Sequence, residues 1–363
     1  MTQAASTFPN LKPRSILMLK GHSAGVGDLL RSSAAWRALR DRFPEAQLHL
    51  WFLTREPGYA SELLISQHHL LASFHVSDKR TRGVWGWPRL WNEANRIGHQ
   101  THPDLVLDFE PGGCRTSLLA RWLAWRGHAV AVGIAQEPLR RWFYDRAAPS
   151  SRAYARSHGM TLPLEYAERD FVALAALGIE RNGTPIELCE TEAGRAFRQR
   201  LRAELGGPGG PPLLGLNIGC ATPGAAPKRP DLDLLANLVR ELQRRHQFGL
   251  VLTGAAFEQD INRDFLSRLG PSGPVVDLAG RTSLLELTGA IAACRLFISS
   301  DSGPYHMAVG LRVPTLALFR WPSPQHYHHY AWVESQVARG VEALPTLLEA
   351  AERLMRVQPP SLP

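Results

Sequence analysis

Three stretches of this chain place glycines, hydroxyls and charged side chains at points where an apolar run gives way to an amphipathic one. The first is KGHSAGVGD at residues 20–28. Its three glycines let the backbone turn tightly, and the helix that follows offers N-terminal N–H groups to an anion. Asp28 opens that helix. The helix dipole alone favours an acid in a first turn. A carboxylate there can also serve as a general base that takes a proton from a hydroxyl. The same loop contains GHSAG, a literal G-x-S-x-G with Ser23 in the nucleophile position, which raises a serine hydrolase as a rival. Such an elbow normally follows several strands, because an earlier loop supplies an oxyanion donor, and here only one strand precedes it. A dinucleotide fingerprint would need a third glycine where Leu30 stands.

The second stretch is ISSDSGPYHMA at residues 298–308, with Asp301 at a strand end and Ser302 and Gly303 opening a helix. The backbone N–H groups of Ser302 and Gly303 suit a diphosphate. An N-cap explains the Asp and Ser but not His306 one turn later. The third is NIGCATPGAAPKRP at residues 217–230, a Gly/Pro-rich loop ending in a basic pair. The chain has four lysines against 37 arginines, so Lys228 in this loop suggests a compact charge for a phosphate oxygen. Asp231 and Asp233 form a D-x-D pattern. They follow Pro230 and open a helix, so they read as first-turn acids before metal ligands. His326, His328 and His329 fit no standard zinc spacing. The aromatic run WGWPRLW at residues 85–91, flanked by Arg82, reads as a helix-docking cluster before a nucleic-acid platform.

Elements that could hold these loops alternate along the whole chain. Apolar runs at 15–19, 47–53, 70–76, 104–108 and 129–134 read as strands, with a helix over 28–42 and another over 165–177. GGPGGPP at 206–212 breaks the pattern, which then restarts. Strands are expected at 213–218, 249–253, 275–278, 296–299 and 313–319. Helices are expected at 231–246, 257–269, 283–293, 305–309 and 341–357. Two such alternations in series imply an α/β protein of two doubly wound, Rossmann-like domains facing a central cleft. The expected boundaries are 1–180, 181–345 and a C-terminal helix and tail at 346–363 that crosses back to the first domain.

The chain has 363 residues, 44% hydrophobic and 20% charged, which suits two folded domains. No apolar run is long enough to span a bilayer, and the first residues lack the apolar core of a signal peptide. The four cysteines are widely spaced and read as reduced, mostly buried thiols of a cytoplasmic protein. The net charge is +8, yet residues 1–160 hold 21 Lys/Arg and 12 Asp/Glu, a local excess of +9. A basic first half points to an anionic partner. Its candidate contacts are Lys20, Arg31, Arg82 and Arg115.

Taken together, these residues resemble glycosyltransferase family 9, the heptosyltransferases of lipopolysaccharide assembly. SDSGPYHMAVGLRVPTLALF at 300–319 is close to the family's DSGPMHLAAALGVPVVALF run. LMLKGHSAGVGDLLRSSAAWRALRDRFPEA at 17–46 is similar to its opening strand, GD turn and helix. VDLAGRTSLLELTGAIAACRLFIS at 276–299 and VLTGAAFEQD at 251–260 resemble two further segments. The chain departs from the family in a longer opening loop, in Ala255-Ala256, and in RWPSPQHYHHY at 320–330.

The resemblance implies a GT-B fold and inverting transfer without a metal or cofactor, with ADP-heptose as co-substrate and an anionic lipopolysaccharide-core glycolipid as acceptor. It implies Asp28 as acceptor-side base, Lys228 at the donor diphosphate and Glu258 at the ribose. Asp301 would meet the donor sugar, Ser302 and Gly303 the phosphate, and His306 would support that loop. A cytoplasmic enzyme, peripheral at the inner membrane and without a nucleic-acid partner, follows from it. A family member using another NDP-sugar or a protein acceptor remains an alternative. So does a GT-B epimerase, hydrolase or non-catalytic binder.

Overall fold

The computed structural model describes residues 11–21, 25–55, 57–80, 86–220, 227–320 and 327–362. The chain divides into two compact units, Met1–Ile186 and Glu187–Pro363. In the first, β1 (Ser15–Gly21), β2 (Gln47–Thr54), β3 (Ser73–Asp78), β4 (Leu105–Asp108), β5 (Val130–Ile134) and β6 (Arg146–Ala148) form one parallel sheet. Its order is β3-β2-β1-β4-β5-β6. β1 and β4 are buried along their whole length, as apolar strands covered on both faces must be. The helices of this unit are α1 (Val26–Leu30), α2 (Ser33–Arg42), α3 (Ala60–Ser66), α4 (Gly86–Thr101), α5 (Arg115–Gly127), α6 (Ser151–Ser157) and α7 (Glu168–Leu174).

The second unit repeats the plan. β7 (Leu213–Asn217), β8 (Gly249–Thr253), β9 (Val275–Asp277), β10 (Leu296–Ser299), β11 (Thr315–Phe319) and β12 (Val333–Val337) pair in parallel in the order β12-β11-β10-β7-β8-β9. Its helices are α8 (Glu192–Glu204), α9 (Leu232–His246), α10 (Gln259–Leu269), α11 (Leu284–Ala292), α12 (Gly303–Gly310) and α13 (Leu344–Arg356). Each sheet therefore has the Rossmann order 3-2-1-4-5-6 in its own numbering, and winds in opposite senses on the two sides of one strand pair. The reversal falls between β1 and β4 in the first unit and between β7 and β10 in the second. Loops leaving the carboxyl ends of those strands are where such folds bind ligands.

The expected helix over 28–42 is two helices, α1 and α2, broken at Arg31–Ser32. Ser33 Oγ donates to Leu30 O at 2.6 Å, a local side-chain bond that competes with helical continuation. The third strand starts at Ser73 instead of Leu70, because Leu70 and Leu71 lie in a turn closed by Leu71 N–H to His68 O. Two edge strands went unread. β6 has three residues, and β12 (VESQV) lacks an apolar run, since an edge strand is only partly covered.

The aromatic run docks helices. Trp87 and Trp91 of α4 lead to Trp122 and Trp125 of α5, with ring centroids 6.0, 5.0 and 5.4 Å apart in sequence. Of the four free cysteines, Cys220 and Cys294 are buried but Cys114 is exposed. The C-terminal helix, expected to cross back to the first domain, places Leu347, Ala350, Ala351 and Leu354 in the core of the second unit beside Leu238 and Leu242. Its apolar stripe fits that core because α9 presents a matching one. Among the described residues no helix is long and apolar enough to cross a membrane.

Candidate functional site

β7 and β10 pair with Asn217 opposite Ser299, so the loops leaving them run side by side. A hydroxyl network joins them. Ser302 Oγ donates to Asn217 Oδ1 at 3.0 Å and lies 3.0 Å from Ser299 Oγ. Ser300 Oγ donates to Gly219 O at 3.0 Å and lies 3.1 Å from Cys220 Sγ. Asn217 Nδ2 donates in turn to Thr253 Oγ1 at 3.2 Å. Ser302 occupies the N-cap position of α12 without a side-chain cap bond, because its hydroxyl is turned to Asn217. Pro304, in the first turn, has no N–H to satisfy.

Lys228 and Asp301 meet above this network, Nζ to Oδ2 at 2.7 Å. Tyr327 OH donates to the same oxygen at 2.8 Å. Glu258 is buried in the turn after β8, where Oε2 accepts from Ala255 N–H at 2.8 Å. Burial pushes the Cys220 thiol above its ordinary value. Ser300 and Lys228 pull it down and the carboxylates of Asp301 and Glu258 push it further up. His306 is buried, and its Nδ1 shares a 2.9 Å hydrogen bond with His328 Nε2. His328 is thus a partner of α12, while His326 lies outside the described residues. The D-x-D acids cap α9, since Asp231 Oδ1 accepts from the N–H groups of Asp233 and Leu234 at 3.0 Å each. Among the described residues no group of three His, Cys, Asp or Glu is arranged to hold a metal ion.

Gly219 leaves room for the Glu258 carboxylate. A methyl group added at Gly219 would collide with the Glu258 carboxylate. Gly219→Ala is expected to destabilise the protein by about 1–3 kcal/mol, as overpacking does. Urea unfolding measures it, and an unchanged midpoint would show that Glu258 does not depend on this contact.

In the first unit, Asp28 and Arg31 face a cavity of about 500 Å³ that Lys20, Phe109, Glu110, Tyr166, Arg169 and Asp170 help to line. Arg31 pairs with Asp28 through Nη2 and Oδ1 and lies 3.9 Å above the Tyr166 ring. Lys20 reaches the same cavity with its charge already engaged, for Nζ donates to both Asp170 oxygens at 2.8 and 2.9 Å. Buried and paired this way, it anchors α7 to the end of β1 and is poorly placed to hold an acceptor anion.

Arg115 lines a second cavity of about 430 Å³ with Arg55, Lys79, Trp87, Glu110 and Cys114. Its Nη1 donates to Lys79 O at 2.6 Å. Burial pulls the Lys79 ammonium below its ordinary value, Glu110 opposes that, and the cations Arg55 and Arg115 lower it further. Arg82 and Ser23 lie outside the described residues. The basic candidates therefore do not converge: Lys20 and Arg31 accompany Asp28, and Arg115 joins two cations that sequence reasoning missed. Arg55 and Lys79 directly follow β2 and β3, so the rule of ligand sites at carboxyl strand ends was the available signal.

A profile described as "Glycosyltransferase family 9 (heptosyltransferase)" matches residues 132–351, more than half of the chain. The chain belongs to glycosyltransferase family 9. The matched stretch of this family 9 chain contains Lys228, Glu258, Asp301 and His306, whereas Asp28 precedes it. Lipooligosaccharide heptosyltransferase 2 of Campylobacter jejuni is 32% identical over 110 residues, 30% of this chain and 34% of that protein. The match thus spans about a third of the relative's length. A family 9 glycosyl transferase from Veillonella parvula superposes with a TM-score of 0.68 at 20% identity, covering 94% of this chain and 97% of that one. The heptosyltransferase WaaC of E. coli, solved with ADP-2-deoxy-2-fluoro heptose, superposes with a TM-score of 0.58 at 17% identity, covering 92% and 99%. These likenesses establish the GT-B fold of two Rossmann-like sheets.

Proposed function

We propose that this family 9 chain is an inverting heptosyltransferase that needs no metal and moves a heptose from ADP-heptose to an anionic lipopolysaccharide-core acceptor. The observation that carries the reading is the cluster at the second unit's switch point. A lysine, a carboxylate and an uncapped helix start face the ends of β7 and β10, the arrangement a sugar diphosphate requires. The co-crystallised ADP-heptose analogue of the E. coli relative supports the donor.

In this reading the acceptor hydroxyl attacks the anomeric carbon in one step while Asp28 takes its proton. The diphosphate leaves with its new charge held by Lys228 and the Ser302–Gly303 amides, interactions worth about 3–4 kcal/mol each. Glu258 accepts hydrogen bonds from the ribose, and His306, locked by His328, supports the α12 start. Arg55, Lys79 and Arg115 receive a phosphate or carboxylate of the acceptor. Such an acceptor places the enzyme in the cytoplasm, peripheral at the inner membrane.

Binding assays test this. ADP-heptose, GDP-mannose, UDP-N-acetylglucosamine and a dTDP-sugar are compared by thermal shift and calorimetry. ADP-heptose at a hundredfold excess over Kd is expected to stabilise the protein by about 2.7 kcal/mol, and Glu258→Ala to weaken ADP itself. Stabilisation by a different nucleotide sugar would replace the donor. Stabilisation by none of them would remove the transferase reading in favour of a non-catalytic protein.

A further inference from the structure

The segment RWPSPQHYHHY, where the chain departs from its family, carries a residue not yet given a role. Tyr327 donates its hydroxyl to Asp301 Oδ2 at 2.8 Å, and Lys228 reaches that same oxygen at 2.7 Å. Both hydrogen bonds of this carboxylate thus fall on one oxygen, and Oδ1 has no hydrogen bond to any described residue. A carboxylate held on one side has a fixed plane and presents its other oxygen in a fixed direction.

Of the two holders, Lys228 is the less constrained. Its side chain is 51% exposed, and its three N–H donors sit on a flexible stem. Tyr327 is packed. Its ring lies 4.5 Å from Phe319 at the end of β11 and 6.2 Å from Tyr305 of α12. The next residue is tied to the same helix, with His328 N–H donating to Tyr305 OH at 3.4 Å and the His328 ring bonded to His306. Asp301 directly precedes Ser302, the N-cap of α12, so the carboxylate sits beside the helix that carries Tyr305, one of the two ring contacts of the tyrosine that holds it.

We infer that Tyr327 is a positioning residue that fixes Asp301 so that Oδ1 accepts a hydrogen bond from a hydroxyl of the donor's sugar ring. When a diphosphate draws Lys228 to its oxygens, Tyr327 keeps the carboxylate oriented. This inference rests on the donor-site reading above. It makes Tyr327 a determinant of sugar binding and not of nucleotide binding, because the hydroxyl acts only through Asp301.

The test compares ADP with ADP-heptose by calorimetry on the full chain and on Tyr327→Phe and Asp301→Ala. Phe keeps the ring packing against Phe319 and Tyr305 and removes only the donor. Tyr327→Phe is expected to weaken ADP-heptose by about tenfold, as loss of a hydrogen bond to a charged group does, and to leave ADP within about twofold. The KM for ADP-heptose should rise while the acceptor KM stays unchanged. Asp301→Ala should weaken ADP-heptose at least as much. If Asp301→Ala has its effect and Tyr327→Phe leaves both ligands unchanged, or weakens both equally, the positioning role is wrong and the donor site stands. If Asp301→Ala changes neither ligand, the donor-site reading falls and the Tyr327 role with it.

Discussion

Asp28→Asn is expected to lower the rate of sugar transfer by about two to four powers of ten, the range that a positioned acid or base supplies. Asparagine keeps the size and the hydrogen-bonding reach of the side chain but has no basic oxygen. The loss should therefore appear in kcat, at about 1.4 kcal/mol per decade. The aspartate is well set for the task. Its helix begins directly after the loop that leaves β1, and its carboxylate faces the cavity. Arg31 fixes its direction, and Tyr166 fixes Arg31 by stacking. Donor affinity should be untouched, because the residues proposed to hold the donor all belong to the second unit. Product formation at saturating donor and acceptor, with calorimetry of ADP-heptose alongside, reads both quantities. Transfer within threefold of the unsubstituted enzyme would mean that another group takes the proton.

The second large effect is on stability and concerns residues no motif would single out. Arg140 and Asp108 are both fully buried and paired, Nη2 to Oδ2 at 3.0 Å. Tyr144 OH also donates to Asp108 Oδ2, at 2.7 Å, and Glu110 N–H to Oδ1 at 3.0 Å. Arg140 Nη2 reaches Glu110 O at 2.6 Å as well. Removing one partner strands the other charge away from water. Arg140→Met and Asp108→Asn should each cost about 3–5 kcal/mol. Replacing both by apolar residues should recover much of that loss, because the desolvation of the two ions disappears with them. Urea unfolding of the singles and the double measures the cycle. Singles that cost less than about 1 kcal/mol would place the pair among weak surface-type bridges. The same network holds the backbone of Glu110, which lines the two cavities described above, so if the proposed acceptor site is right, weakened acceptor binding should accompany the loss of stability.

Much of the second unit was legible because its central strands are buried on both faces. The runs at 249–253 and 296–299 are strands over those same residues, as continuous apolar segments bounded by polar turns. Capping chemistry was legible too: Asp231, read as opening a helix, caps α9. The first unit was read less well where local side-chain bonds overrode periodicity, as at Ser33, and in each unit an edge strand carried no apolar signal, at 146–148 and at 333–337. The candidate site shows the same division. Asp301, Ser302 and Lys228 sit in loops whose composition made them candidates, and Glu258 was named only by the family resemblance. Tyr327 and His328 were visible only as part of an unusual aromatic-histidine run whose spacing fits no standard zinc pattern.

The sequence by itself determined two doubly wound parallel sheets in series and the loops that leave their strands. Apolar periodicity, turn residues and capping acids are local signals, and they act within a few residues of one another. Only the tertiary structure decided which charges are engaged. Lys20 is 150 positions from Asp170 and Lys228 is 73 from Asp301, yet each pair lies within 2.8 Å. Strand order makes such contacts, because the reversal between β1 and β4, and again between β7 and β10, brings distant loops to one edge of a sheet. A lysine in a loop is a candidate phosphate ligand until the fold supplies its carboxylate. For Lys20 that partner is buried with it, whereas Lys228 keeps a half-exposed side chain while paired with Asp301.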